Sequence, residues 1–317
     1  MAFYTPLDPD ELAAMLSRYG IPALDRCEGA ADGIENSTYK LAWGEQRWIL
    51  TVFEELTAND LPFFTHLMQW LFSRQLPVAH PLSDSAGTVL QQLSGKPALL
   101  FPLLPGRHLQ TVDATHCAAV GQCLGQLHEH ARHYPFQHAN PRGLTWMTEG
   151  RQRLEGRLSP QQQQLLDQQL LTATTLRQRG LPVGIIHGDL FRDNALFVAT
   201  DAGQQLSGII DFYSACTDLL LLDLAITVND WCGQPDGSLD PMRATAMVNA
   251  YNTERPITTP EASCWQMTLQ LAATRFWLSR LLDEVLPRHA GVQHAHKPSA
   301  EYLARLQYHI DTVTPLL

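Results

Sequence analysis

The pattern of hydrophobic and polar positions divides the chain into two parts. In the first part, short apolar runs are separated by turn residues, a pattern that predicts β-strands. Beyond the Pro102–Gly106 segment, apolar positions recur mostly at the spacing of helices. We therefore expect an α+β protein with two lobes: a small sheet lobe in residues 1–102 and a larger, mainly helical lobe in residues 103–317. The proline and glycine of the segment between them predict a hinge.

The first lobe is expected to hold a five-stranded antiparallel sheet with one inserted helix. A helix that begins after Asp8, with Glu11 completing a capping box, precedes the sheet. The inserted helix is expected to begin at Asn59 or Asp60 and to end at Arg74, because its apolar positions share one face. The predicted strands are 24–29, 38–43, 47–53, 89–93 and 98–103.

The second lobe is expected to be a helical domain interrupted by three short strands. Apolar residues with helical periodicity recur along most of it. The predicted helices are 111–130, 144–158, 159–179, 219–231, 241–251, 260–286 and 299–312. Three compact apolar runs break this periodicity and predict the strands 181–186, 195–198 and 206–210.

Two polar clusters follow buried strands in the second lobe. His187-Gly188-Asp189 follows the first run, with Asn194 five residues after the aspartate, and Asp211 follows the third run. Carboxylates between hydrophobic strands are costly to desolvate unless they bind something. In phosphoryl transfer, one aspartate accepts the proton of the acceptor hydroxyl, while an asparagine and a second aspartate hold Mg²⁺ against nucleotide phosphates.

Ordinary turns are the alternative explanation of these clusters, because Asp and Asn are common turn residues. The His-x-Asp pattern alone favours a turn, whereas Asn194 and Asp211 in register with it favour a kinase-like site. Asp223 interrupts an apolar helical pattern, which is unusual unless its carboxylate is hydrogen-bonded. We therefore predict that Asp223 accepts hydrogen bonds from the backbone of the loop at 187–194.

A polar loop between the first two strands, with Gly29 and Gly33 in it, is a candidate cover for a nucleotide. Backbone N–H groups of such a loop can face phosphate oxygens. Two glycines between strands also occur in ordinary turns, and the spacing departs from the Gly-x-Gly-x-x-Gly of protein kinases.

The net charge and the composition of the chain exclude some classes of partner and location. The 317 residues carry a formal net charge of −10, which argues against nucleic acid as a partner because no basic run neutralises phosphates. Six scattered cysteines without a Cys-x-x-Cys pair favour reduced thiols. The N-terminus lacks the pattern of a signal peptide, and no apolar run is long enough to span a bilayer. We expect a cytoplasmic protein with no membrane partner.

The motifs resemble those of a known family. With the order of elements, they identify the chain as a member of the protein-kinase-like superfamily of aminoglycoside phosphotransferases and choline kinases. Within it, the chain resembles the homoserine kinase family of bacterial threonine biosynthesis. The segments that carry the resemblance are 33–39, 48–54, 60–64, 187–194, 210–218 and 223–226.

This resemblance implies transfer of the γ-phosphoryl group of ATP to the side-chain hydroxyl of L-homoserine. Asp189 would then orient the acceptor hydroxyl and take its proton, and His187 would brace the loop. Asn194 and Asp211 would bind Mg²⁺.

The resemblance also implies a nucleotide site in the first lobe. The loop at 29–37 would cover the phosphates, with Gly33, Asn36 and Ser37 as its binding residues. Phe101 and Leu103 would meet the adenine. The partner is a small molecule, and both a monomer and a homodimer stay open.

Two departures from the superfamily concern charged residues. Thr51 stands about where kinases carry a lysine, and neither the phosphate-binding cation (Lys40 or Arg47) nor its acidic partner is fixed by the sequence. Arg192 occupies a position expected to be proline, where it can contact a substrate anion or point to solvent.

The acceptor site is open at the level of sequence. A small zwitterion requires a cation for its carboxylate and an acid for its ammonium group. The candidate acids are Asp218, Asp193, Asp230 and Glu35, and the candidate cations are Arg192, Arg275 and Arg280. Other acceptors are the first alternative: choline or ethanolamine, methylthioribose, or an aminoglycoside. A nucleotide-binding pseudokinase scaffold is the second, and Thr51 is its support.

Overall fold

The computed structural model describes residues 5–30, 36–201, 203–286 and 298–316. The described residues up to Pro105 belong to one compact unit, and those from Gly106 onward belong to a second. The first contains an antiparallel sheet and the second is mainly helical, so the chain has the α+β fold that its pattern predicts. The predicted domain boundary after residue 102 stays a prediction.

A five-stranded antiparallel sheet is the centre of the first unit, as expected. Its strands follow the order β1-β2-β3-β5-β4. The elements of this unit are α1 (Pro9–Ser17), β1 (Arg26–Gly29), β2 (Asn36–Trp43), β3 (Gln46–Phe53), α2 (Leu61–Phe72), β4 (Gln91–Leu93) and β5 (Lys96–Pro102). Each observed element overlaps its predicted range.

The hairpin between β2 and β3 sets the register of the sheet. Trp43 pairs with Gln46, so Gly44 and Glu45 form a two-residue turn. Gly44 has a φ of 55°, a left-handed conformation that such turns require and that glycine adopts without a steric penalty. The turn therefore fixes which side chains of both strands face the core.

The core of this unit lies between α1 and one face of the sheet. Alternate residues of β2 and β3 are buried there, among them Leu41, Leu50 and Val52. Met15 and Leu16 of α1 pack against the same cluster, because they lie on one face of the helix.

The start of α1 is capped differently from the prediction. The Asp8 carboxylate accepts hydrogen bonds from the backbone N–H groups of Asp10 at 2.9 Å and Glu11 at 3.1 Å. The Glu11 side chain does not complete a capping box. It accepts a hydrogen bond from the backbone N–H of Ser94 at 2.7 Å and so ties the helix to the turn between β4 and β5.

The second unit combines helices with two antiparallel strand pairs, β6 with β9 and β7 with β8. None of the described helices combines the length and the apolar composition needed to cross a membrane. The elements are α3 (Ala114–Ala131), α4 (Leu144–Arg153), α5 (Pro160–Arg177), β6 (Val183–Ile186), β7 (Ala195–Thr200), β8 (Gly203–Ile209), β9 (Cys216–Leu219), α6 (Leu220–Trp231), α7 (Pro241–Glu254), α8 (Thr259–Val285) and α9 (Ser299–Asp311).

Strand β9 is the element that the sequence pattern does not predict. It pairs with β6, with Thr217 opposite Ile185 and Asp218 opposite Gly184. A buried aspartate within a short strand departs from the apolar runs by which buried strands are identified. The pairing sets β9 and the following helix α6 beside the strand that leads into the His187 loop.

Candidate active site

The two predicted polar clusters lie next to each other. The loop from His187 to Asn194 connects β6 to β7, and Asp211 lies two residues after the end of β8. The backbone N–H of Ile210 donates a hydrogen bond to the carbonyl oxygen of Asn194 at 3.0 Å. Asp211 has a φ of 62°, a left-handed conformation uncommon for residues other than glycine and typical of functional sites. The structure therefore brings the two clusters into one site.

Asp223 holds the start of the catalytic loop. Its carboxylate is fully buried in α6 and accepts hydrogen bonds from the backbone N–H groups of His187 at 2.7 Å and Gly188 at 2.8 Å. His128 of α3 bonds the same carboxylate through Nε2 at 3.1 Å, and its Nδ1 lies 2.7 Å from the hydroxyl of Tyr251. The predicted contact between Asp223 and the loop backbone is confirmed.

The environment of Asp223 favours its charged form. Burial by itself raises the pKa of Asp223, but the hydrogen bonds from His128 and from the backbone of Gly188 outweigh it and hold that pKa below its usual range. A buried carboxylate with these donors is a fixed anchor for the loop.

Gly188 lets the loop pass close to the segment after Asp211. It has a φ of 76°, and a Cβ atom there would lie 2.7 Å from the carbonyl oxygen of Ser214. Any other residue at 188 would meet both a strained backbone and a backbone clash.

His187 connects the loop to the strand before Asp211. Its Nδ1 accepts a hydrogen bond from the backbone N–H of Asp189 at 3.3 Å, so Nε2–H donates to the carbonyl oxygen of Ile210 at 3.1 Å. The imidazole is fully buried, and burial lowers the pKa of His187. His187 is therefore a neutral positioning residue in this structure.

Asp189 is partly buried and lies next to a buried arginine. Its side chain is 29% exposed, and its Oδ1 is 4.0 Å from Nη1 of Arg275. Burial raises the pKa of Asp189 and the charge of Asp211 adds to the rise, whereas Arg275 opposes it; the resulting pKa is about 7. A carboxylate with a raised pKa, still open to solvent, suits a group that receives a proton from a bound hydroxyl.

Asn194 and Asp211 have the chemistry of a magnesium site. Nδ2 of the buried Asn194 donates to the carbonyl oxygen of Asp189 at 2.8 Å, which leaves the amide oxygen as the possible ligand. Amide and carboxylate oxygens are the donors that Mg²⁺ prefers. Among the described residues, no group of three or more His, Cys, Asp or Glu side chains could hold a metal ion. A site with only two protein ligands, such as Asn194 and Asp211, fits Mg²⁺, which retains waters and phosphate oxygens as its other ligands.

The predicted nucleotide-binding residues lie in the first unit, except that Gly33 lies outside the described residues. Asn36 begins β2 and is half-buried, and the buried Phe101 pairs with Ile49 in the sheet. Leu103, just after β5, is 46% exposed. Their role in nucleotide binding stays a prediction.

Ser37 takes part in a buried polar network. Its hydroxyl donates to Oε1 of Glu54 at 2.5 Å and accepts from the backbone N–H of Thr5 at 2.8 Å. Lys96 of β5 forms an ion pair with the same glutamate. These contacts occupy the Ser37 hydroxyl, and its predicted role toward the phosphates stays a prediction.

Kinases carry a lysine in the third strand of this sheet, and β3 of this chain has no direct substitute for it. Thr51 is buried in β3 opposite Leu99. Lys40 is exposed, and Nη1 of Arg47 donates to the carbonyl oxygens of Gly44 and Gln46 in the hairpin turn. The Lys96–Glu54 pair cannot be predicted from the sequence, because the two residues are distant in the chain and no motif links them.

Several of the candidate acceptor residues already contact other groups of the protein. The guanidinium of Arg192 donates to the carbonyl oxygen of Asp230, from Nη2 at 2.6 Å. Asp218 is fully buried and forms a two-point ion pair with Arg177, with Nη2 to Oδ2 at 2.7 Å. Arg280 donates to Oε2 of Glu301 at 2.6 Å.

Arg142 is a site residue that sequence reasoning missed. It stands just before α4 and lines a cavity that reaches Gly188 and Arg275. Its segment, Asn140-Pro-Arg-Gly143, looks like an ordinary turn, and no motif surrounds it. Only the fold shows that this turn and the catalytic loop border the same cavity.

Comparisons with known proteins find relatives over most of the chain. A model of the phosphotransferase enzyme family matches residues 26–257. A homoserine kinase of Pseudomonas aeruginosa is 43% identical over 284 residues, covering 89% of this chain and 89% of the relative. A homoserine kinase of Methylobacillus flagellatus is 39% identical over 309 residues, covering 98% of this chain and 95% of the relative.

Solved structures show the same fold at low sequence identity. A microcompartment-associated aminopropanol kinase matches with a TM-score of 0.74 at 16% identity, covering 96% of this chain and 97% of that chain. The amicoumacin kinase hAmiN, in complex with AMP-PNP, Ca²⁺ and Ami, matches with a TM-score of 0.67 at 16% identity, covering 98% and 95%. At such identities the likeness concerns the fold alone.

Proposed function

Because this chain belongs to the phosphotransferase enzyme family and, within it, to the homoserine kinases, we propose that it uses the site around Asp189 to phosphorylate L-homoserine. The chain is an ATP-dependent phosphotransferase that acts on an alcohol group. The product is O-phospho-L-homoserine, an intermediate of threonine biosynthesis, and the proposed place of reaction is the cytoplasm.

Asp189 orients the acceptor hydroxyl and receives its proton late in the transfer. The hydroxyl is then positioned for in-line attack on the γ-phosphorus, and positioning supplies much of the catalysis in such reactions. His187 and Asp223 hold the loop that carries Asp189. These two act by position, since their polar atoms bond the loop backbone and Ile210.

Asn194 and Asp211 would hold Mg²⁺ through their side-chain oxygens. When bound, the ion neutralises the negative charge of the phosphate groups. The residues of this chain contribute the fixed ligand geometry: the Nδ2 contact of Asn194 orients its amide oxygen, and the hydrogen bond from Ile210 to Asn194 holds the two loops together.

The observation that carries the proposal is the joint placement of the two polar clusters. The carboxyl group of Asp189 and the side chains of Asn194 and Asp211 lie in one site, and the buried Asp223 fixes the loop that carries Asp189. An ordinary turn would not require Asp223 to be desolvated in α6 at this cost. The homoserine kinase relatives identify the acceptor.

ADP release by the purified protein with Mg-ATP tests the proposal. The acceptor panel is L-homoserine, L-serine, L-threonine, choline, methylthioribose and kanamycin, with Asp189→Asn as control. We expect turnover on L-homoserine and a loss of about 10³-fold in kcat in the control, since the variant keeps the shape of the side chain but not its basicity. Turnover on another acceptor but not on L-homoserine would refute L-homoserine as the substrate. ATP binding without turnover on any acceptor would indicate a pseudokinase.

A further inference from the structure

A small cavity beside Asp189 is lined by three arginines, and one of them, Arg275, has a donor that is unsatisfied among the residues that the structure describes. The cavity has a volume of about 20 Å³, and its lining includes Arg142, Arg177, Gly188 and Arg275. All of these residues belong to the second unit. A cavity of this size holds roughly one water molecule or one small polar group.

Arg275 is buried in this cavity without a full set of partners. The residue is 6% exposed, and its Nη1 has no hydrogen-bond acceptor among the described residues. Oδ1 of Asp189, at 4.0 Å, is beyond hydrogen-bond distance. The guanidinium carbon lies 4.0 Å from the ring centroid of Phe276, which holds the group in place.

Leaving such a donor unpaired costs free energy, and the surroundings increase that cost. Burial, together with the nearby charge of Arg142, lowers the pKa of Arg275 to about 10. The group stays protonated at neutral pH. A buried cation that faces a cavity with an unsatisfied N–H is stabilised when an anion enters.

Arg177, the third arginine of the cavity, does not require an added anion. The guanidinium of Arg177 forms a two-point ion pair with Asp218, whose remaining contacts are Asn140 and the backbone N–H of Leu219. Asp218 is thereby used within the protein and is not the group that receives an ammonium. The unsatisfied donor of the cavity belongs to Arg275.

We propose that this cavity receives the carboxylate of the acceptor, bound by Arg275 with Arg142 at its rim. The inference rests on the proposed function and names the residues that select an amino-acid acceptor. In homoserine, the three carbons between carboxylate and hydroxyl span roughly 5 Å. That length lets the hydroxyl bond Asp189 while the carboxylate bonds Arg275, whose Nη1 lies 4.0 Å from Oδ1 of Asp189.

The other candidate cations are already bound to protein groups. Arg192 donates to Asp230, and Arg280 donates to Glu301 and to the carbonyl oxygen of Pro298. Of the three arginines that the sequence offered, Arg275 is the one that combines deep burial, an unsatisfied donor and a position beside Asp189. Arg280, on the same helix α8, therefore serves as the matched control.

Two acceptors that differ by one carboxylate test the proposal: L-homoserine and 3-aminopropan-1-ol. In the wild type, we expect kcat/KM for 3-aminopropan-1-ol to be at least about 100-fold lower than for L-homoserine. Arg275→Met should raise KM for L-homoserine about 100-fold and change kcat/KM for 3-aminopropan-1-ol by less than about 3-fold. Assays at about pH 9 keep Asp189 ionised in both proteins.

The controls separate carboxylate binding from an effect on Asp189. Arg280→Gln should leave KM for L-homoserine within about 3-fold of wild type. Arg142→Gln changes a half-buried side chain and should raise that KM about 10-fold, which keeps the test decisive if Arg275→Met does not fold.

The outcomes also separate this inference from the proposed function. Equal kcat/KM of the wild type on both acceptors overturns the carboxylate site while leaving the kinase activity. An equal loss on both acceptors in Arg275→Met also overturns it, because Arg275 would then act through Asp189. No phosphorylation of L-homoserine by the wild type refutes the proposed function itself, and the inference fails with it.

Discussion

The protonation of a single buried histidine illustrates how contacts set the chemistry of a residue. His309 of α9 is fully buried, with Nε2 at 2.7 Å from Oδ1 of Asn229. Nδ2 of Asn229 donates to the carbonyl oxygen of Leu269, so its Oδ1 accepts from Nε2–H of His309. Nδ1 has no hydrogen-bond partner among the described residues. Burial, with the charge of Arg305, lowers the pKa of His309 to about 3.

This histidine should make the protein less stable at mildly acidic pH. Below pH 6.5 the unfolded chain binds a proton at His309, whereas the folded protein does not until about pH 3. Stability is therefore lost as the pH falls through 6.5. Between pH 7.5 and 5.5 we expect His309→Gln to lose about 1 kcal/mol less free energy of unfolding than the wild type, measured by urea denaturation. The same pH dependence in both proteins would contradict the assignment.

Loss of the Asp223 carboxylate should lower both stability and activity. In Asp223→Asn one of the two loop N–H groups, of His187 or Gly188, faces an amide donor instead of an acceptor. We expect the free energy of unfolding to fall by about 3 kcal/mol and kcat to fall with it. Asp236→Asn, at an exposed turn, is the control and should change stability by less than about 0.5 kcal/mol. A stable but inactive Asp223→Asn would show that the carboxylate positions the loop without stabilising the fold.

The sequence identified several residues of the site and missed others. The loop from His187 to Asn194 and its contact with Asp223 follow from local pattern, because polar residues that interrupt apolar runs must be satisfied. Arg142 and Lys96 could not be found in this way. Surface-exposed arginines and lysines are common, and only the fold decides which of them become buried next to a partner.

At the scale of elements, two glycines let helices α3 and α7 pack closely. A Cβ atom on Gly121 would lie 2.2 Å from the carbonyl oxygen of Met247, and one on Gly125 would lie 2.9 Å from that of Tyr251. Backbone atoms cannot move away as the end of a flexible side chain can. The glycines therefore set the separation of the two helices, and this packing keeps Tyr251 in contact with His128.

Gly121→Ala should destabilise the protein even though alanine favours helices. The gain in helix propensity is about 1 kcal/mol, but the clash forces α3 and α7 apart. We expect a net loss of about 2 kcal/mol or more in the free energy of unfolding. Glu129→Ala, exposed on the same helix, should change it by less than about 0.5 kcal/mol. An increase in stability for Gly121→Ala would show that the two helices can separate at little cost.

The sequence predicted the strands correctly where apolar residues and turn residues follow a simple pattern. The five strands of the first unit and the strands β6, β7 and β8 lie within or near their predicted ranges. Strand β9 was missed because Thr217 and Asp218 break the apolar pattern. Asp218 is satisfied by Arg177, a residue of α5 whose position the local pattern cannot supply.

At the scale of the whole molecule, ligand binding should raise stability in a metal-dependent way. A non-hydrolysable ATP analogue at 100 times its Kd should add about 2.7 kcal/mol to the free energy of unfolding when Mg²⁺ is present. Chelation of the metal should remove most of this gain. Asp211→Asn should remove it too, because asparagine tolerates the left-handed backbone at 211 but is a weaker metal ligand. Equal stabilisation with and without Mg²⁺ would argue against Asn194 and Asp211 as metal ligands.

The sequence by itself determined the fold class, most helices and strands, and the proton acceptor and metal ligands as candidates. These follow from the periodicity of apolar residues, the turn residues and the spacing of the polar motifs, which are local properties of the chain. Asp223 could be assigned to the loop because a buried carboxylate needs donors and the loop was near in sequence.

The tertiary structure decided which charged groups meet. It paired Glu54 with Lys96, Arg192 with Asp230 and Arg177 with Asp218. Beside Asp189, it left Nη1 of Arg275 without an acceptor among the residues that the structure describes. Ion-pair partners depend on distances of a few ångströms between residues far apart in the chain, and the burial that gives those contacts their energy exists only once the helices have packed.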